Sequence, residues 1–91
     1  MLNLPESNFL LVAFKSRQHA LSFKDDLAKE AVRSQVLPTP KELSLGCGLS
    51  VRFSINDAKT AKDILKKRAY AHSGIYRVTM RNSTYQYSKT E

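Results

Sequence analysis

Ninety-one residues, 42% of them hydrophobic and 25% charged, are enough to bury one core, which excludes both a multi-domain enzyme and a disordered chain. Fifteen Lys and Arg against eight Asp and Glu give a net charge of +7, which favours an anionic partner without choosing among nucleic acid, phosphate, a membrane surface and an acidic protein. Residues 1–45 hold a net +1 and residues 46–91 a net +6, so the docking surface for an anion is expected on the second half.

After a polar lead over residues 1–7, the run Phe9–Phe14 is apolar throughout, as in a strand buried on both faces. Ser16 stands as an N-cap, and Ala20, Leu21, Leu27, Ala28 and Ala31 recur at helical spacing, predicting a helix from Arg17 to Val32. Gln35-Val36-Leu37 runs into Pro38-Thr39-Pro40, which suits only an edge strand because proline cannot donate to an inner ladder. A polar connection, Lys41 to Leu45, leads to Gly46-Cys47-Gly48 and the strict alternation of Leu49–Ile55, the clearest strand of the chain. Asn56 or Asp57 caps a second helix with Ala58, Ala61, Ile64, Leu65 and Ala69 as its apolar stripe and Gly74 as its stop. Ile75–Met80 reads as a last strand, and residues 81–91 as a polar tail.

The order β-α-β-β-α-β predicts a single α+β domain over residues 8–80 with the ferredoxin-like arrangement: a four-stranded antiparallel sheet, order 4-1-3-2, and two helices on one face. That topology gathers Lys15, Ser16 and Arg17, the Cys47 turn, and Arg68, Tyr70 and His72 at one rim. The face without helices is expected to keep apolar surface open, which allows a homodimer through it.

Cys47, the only cysteine, has no partner for an internal disulfide, which suits a reducing cytoplasm. No basic n-region and no apolar run of the ~18 residues a membrane span needs is present, so a soluble cytoplasmic protein with no membrane contact is expected. Two readings of Cys47 stand side by side. It is either a small apolar residue at a strand entry or an exposed thiol whose thiolate is favoured by Lys15, Arg17, the N-terminus of the first helix and His72. His19 and His72 with one cysteine match no compact zinc pattern, and neither a Walker loop nor a dinucleotide glycine motif is present, so no metal and no cofactor is expected.

Phe9–Phe14 followed by Ala20, then Leu37-Pro38-Thr39-Pro40, Leu43-Ser44, Gly46-Cys47-Gly48-Leu49 and Arg52-Phe53, resembles a small bacterial family of selenium/sulfur carrier-like proteins. The resemblance spans residues 8–78 and is most specific from Pro38 to Phe53. It implies that Cys47 matches the family's motif cysteine, framed by Pro40, Gly46 and Gly48. It also implies a carrier rather than a stand-alone enzyme, which would hold sulfur or selenium as a persulfide or selenopersulfide and exchange it with donor and acceptor proteins. The competing class is a small binding or regulatory module with a structural Cys47, using Lys59, Lys62, Lys66 and Lys67 on the second helix for an acidic protein or nucleic acid. Nucleic acid is the less expected partner, because Phe53 belongs to the core face of its strand and no exposed aromatic pair is evident on the central strands.

Overall fold

In the computed structural model, which describes residues 8–43 and 48–90, the element order is β1 (Phe9–Phe14), α1 (Arg17–Lys29), β2 (Ser34–Pro38), β3 (Leu49–Phe53), α2 (Ala58–Arg68), β4 (His72–Arg81) and β5 (Thr84–Lys89). Single turns of 3-10 helix at Lys41–Leu43 and Ile55–Asp57 complete it. The sheet is antiparallel throughout, in the order β2-β3-β1-β4-β5. Four strands take the expected neighbours, with β1 and β3 inside and Pro38 ending the edge strand β2. The expected count of four is corrected to five: the polar tail supplies β5, hydrogen-bonded along β4 from Tyr76↔Lys89 to Arg81↔Thr84. Its turn is Asn82-Ser83, where φ values of 50° and 65° provide the left-handed pair that a two-residue hairpin loop needs.

Alternate residues of β1 build two apolar layers. Leu10, Val12 and Phe14 join Val51, Phe53 and Ile75 beneath Ala20, Phe23 and Leu27 of α1 and Ala61 and Leu65 of α2. Phe9, Leu11 and Ala13 point the other way, with Tyr76 and Val78, and are covered by Leu43 of the first 3-10 turn and partly by Leu37 and Tyr87. The apolar surface expected to stay open at β1 is therefore closed by this chain itself, and every β1 residue is buried. That explains why β1 is apolar without alternation.

Both helices stop earlier than their sequence signals suggest. α1 ends at Lys29, and Ala31 (φ 60°) turns the chain toward β2. Its buried stripe is Ala20, Phe23 and Leu27, whereas Leu21 is 44% exposed. α2 ends at Arg68 with Ala69 as a left-handed C-cap (φ 54°), and Gly74, expected as the stop, instead lies within β4 at φ 153°. That conformation suits glycine and accompanies the irregular register between Ala13 and Phe14 opposite β4. Asp57 is the N-cap of α2 without a side-chain bond, while the Ser54 oxygen accepts from Asn56 N at 3.1 Å in the preceding turn.

Candidate functional site at the rim of the sheet

Antiparallel pairing brings four strand ends to one rim, where the register sets Pro38 against Leu49, Leu49 against Phe14 and Phe14 against His72. The crossing from β2 to β3 is tied at its base. Thr39 N donates to Gly48 O at 2.7 Å, and the Thr39 and Ser50 hydroxyls share a hydrogen bond of 2.7 Å. Ser16 caps α1 as its residue type predicts, its hydroxyl accepting from His19 N at 3.3 Å. Lys15 N donates to Ala71 O at 3.3 Å, which fastens the end of β1 to the segment between α2 and β4.

Of the residues singled out by sequence, Lys15 and Arg17 lie exposed at this rim, and the first turn of α1 holds no acidic side chain to offset its dipole. Pro40 and Gly48 flank the rim loop. A Cβ added at Gly48 would meet nothing within 4 Å, so its glycine is not required by packing. Gly46 and Cys47 lie outside the described residues. His72 opens β4 half-buried, its ring 6.3 Å from that of Phe14, and it also faces a different feature. A groove of about 680 Å³ runs between α2 and the start of β4, lined by Leu65 and Ile75, by Lys59, Lys62 and Lys66, and by one carboxylate, Asp63. Lys67, expected with them, is exposed but does not line the groove.

A polar cluster that local sequence does not announce stands beside the rim. The Tyr70 hydroxyl donates to Asp26 Oδ2 at 2.5 Å, and Arg68 Nε lies 3.2 Å from the same hydroxyl and 3.3 Å from the carboxylate. Tyr70 also packs against Phe14, Phe23 and His19, and His19 Nδ1 accepts from Ala71 N at 3.1 Å. The cluster latches the C-terminal end of α2 onto α1. Burial, and then the bond to Asp26, hold the Tyr70 phenol above its ordinary value of 10, with Arg68 acting the other way. A raised value in the folded state means that this contribution to stability is complete below pH 10 and fades as the pH climbs through the folded value. Tyr70→Phe is expected to cost about 1–2 kcal/mol at pH 7. The gap from the native protein should narrow above pH 10 in urea titrations followed by circular dichroism; a gap that widens there would refute the latch.

Residues 9–77, all but the two ends of the chain, match the model of the family described as "Putative Se/S carrier protein-like". The chain belongs to this family. No curated protein and no solved structure matches it. For a Se/S carrier-like protein, the matched region spans β1 to the middle of β4 and includes Cys47, Pro40 and both flanking glycines, whereas β5 lies beyond it. Among the described residues no helix is long and apolar enough to cross a membrane.

Proposed function

We propose that this Se/S carrier-like protein holds a sulfur or selenium atom on Cys47 and passes it between a donor and an acceptor protein in a reducing cytoplasm. The observation that carries this reading is the family match across residues 9–77, within which Cys47 is the only thiol. The Cys47 thiolate attacks the terminal sulfur of a donor persulfide, the donor's S–S bond breaks, and the donor leaves as a thiolate while Cys47 becomes the persulfide. An acceptor thiolate then attacks the same outer sulfur and releases Cys47 as a thiolate. The sulfur keeps its oxidation state in both steps, so neither metal nor external reductant is called for. Selenium follows the same path as Cys47-S-SeH.

On this reading Pro40, Gly46 and Gly48 frame the thiol, and Lys15, Arg17 and the α1 amides lower its pKa, with His72 as a further cation when protonated. The core of β1–β4 and both helices is ferredoxin-like, with β5 added beside β4. The groove edged by Lys59, Lys62 and Lys66 receives the acidic surface of a donor or acceptor.

Incubation with a cysteine desulfurase and cysteine is expected to add one sulfur mass to the native chain and none to Cys47→Ser. Selenocysteine as the source tests selenium in the same format. Alkylation of Cys47 against pH should report an apparent pKa below the ~8.5 of a free thiol. Uptake that survives Cys47→Ser, or no uptake by the native chain, would refute the carrier role.

A further inference from the structure

We propose that the sheet face away from the helices, where the β4–β5 hairpin meets the start of β1, binds single-stranded nucleic acid by stacking bases on Tyr85, Tyr87 and the Arg52 guanidinium. The low expectation for nucleic acid rested on a sheet without exposed aromatics, and β5 supplies one in Tyr85, with the half-buried Tyr87 beside it. Tyr85 is 38% exposed, beside Met80 at 41%. The Tyr85 and Tyr87 rings lie 6.5 Å apart, and Tyr85 stands edge-on to Phe9 at 6.2 Å. On the other side of Phe9, the Arg52 guanidinium sits 4.9 Å from the ring centroid, steered by the bond from its Nε to Gln35 Oε1 at 2.9 Å. The register puts Phe9 beside Val78 and Val78 beside Tyr87. The guanidinium and the two tyrosines therefore form one strip across neighbouring strands, at ~4.8 Å per strand.

Charge selects the occupant. None of the five strands contains an Asp or Glu, and the register sets Arg52 beside Leu11 and Lys89 beside Tyr76 on this face, whereas Arg77 and Arg81 lie on the helix side of β4. A second copy docked through this face would set Arg52 and Lys89 of one copy against the same cations of the other with no strand carboxylate to pair them, while a polyanion complements them. An acidic protein would meet the charge but make little use of tyrosine rings and a guanidinium plane, which are the groups on which unpaired bases stack. The strip starts at the Phe9 end of β1, and Leu49, which follows Cys47 by two residues in sequence, pairs with Phe14 at the other end, five residue steps or roughly 17 Å away. The site is thus separate from the proposed carrier chemistry and stands whether or not Cys47 carries sulfur.

The chain has four tyrosines and no tryptophan, so its intrinsic fluorescence reports the rings directly. Titration of the native protein with oligothymidylate at low salt should quench tyrosine emission and bind more tightly than the same length of duplex. The affinity should fall with salt by a log–log slope of ~0.7 for each phosphate neutralised. Tyr85→Leu, which keeps an apolar contact for Phe9, should lose about ten-fold in affinity, and Tyr85→Phe should stay within about two-fold of native. Cys47→Ser should bind as the native protein does. No quenching, equal or tighter binding to duplex, or equally strong competition by polyglutamate would overturn the proposal. So would a loss of binding on Lys59→Glu/Lys62→Glu/Lys66→Glu with none on Tyr85→Leu, or a native dimer that buries Tyr85.

Discussion

Phe23→Ala is expected to destabilise the protein by about 3–5 kcal/mol, lowering the urea midpoint while leaving the slope of the transition unchanged. Phe23 is fully buried, and its ring touches three others: Phe14 at 5.3 Å, Phe53 at 6.1 Å and Tyr70 at 6.3 Å. Through these it seats α1 on β1 and β3 and supports the Tyr70 latch to α2. Alanine removes the ring from a site walled by two strands, where the surroundings collapse little, so loss of burial and a residual cavity both contribute. A small domain holds about 5–15 kcal/mol in all, and the variant should therefore be partly unfolded at modest urea. Leu21→Ala, at an exposed site on the same helix, should move the midpoint by no more than about 0.5 kcal/mol. If the two variants behave alike, α1 is not seated by its Phe23 face.

That contrast also marks where the sequence was legible. Ala20 and Leu27 define a helical stripe that either Leu21 or Phe23 can complete at acceptable spacing, and only the direction of the sheet decides for Phe23. The β1 run and the edge proline of β2 carried their own physical signals and lie where those signals put them, whereas the alternating β3 begins at Leu49 as expected but ends at Phe53, because Ser54 caps a 3-10 turn that takes up Ile55. β5 was missed because Asn82-Ser83 lacks the glycine that usually marks a two-residue hairpin. The alternation of Tyr85 and Tyr87 with Thr84, Gln86 and Ser88 was the signal available there. Ala69 ends α2 in a left-handed conformation with no glycine to announce it. The bond between Tyr70 and Asp26 joins residues 44 apart, beyond the reach of any local pattern. For the candidate site, residue types were legible and grouping was not. Lys59, Lys62 and Lys66 share a helix face by spacing, but that His72 and Ile75 complete a groove with them depends on how β4 leaves α2.

Leu11→Ala is the second large effect expected, a loss of about 2–5 kcal/mol, and it tests the layer that sequence reasoning left open. In a sheet with helices on one face only, a leucine at the middle of a central strand on the other face would be half solvated, and its truncation would cost little. Here Leu11 is 1% exposed, between Arg52 of β3 and Tyr76 of β4 in the register, in a cluster that includes Leu43 and Tyr87. Those covering residues come from a polar stretch and from the tail, neither of which advertises a core. Leu43→Ala should cost less, since it can be filled from the solvent side, and the double variant should fall short of the sum of the two singles by at least about 0.5 kcal/mol. Urea titrations of the four proteins measure both quantities. A Leu11→Ala loss below about 1 kcal/mol would mean that this face is solvated, and the Phe9 support beneath the proposed base-stacking strip would go with it. A full loss without coupling to Leu43 would leave the layer in place and assign its cover to β4 and β5 alone.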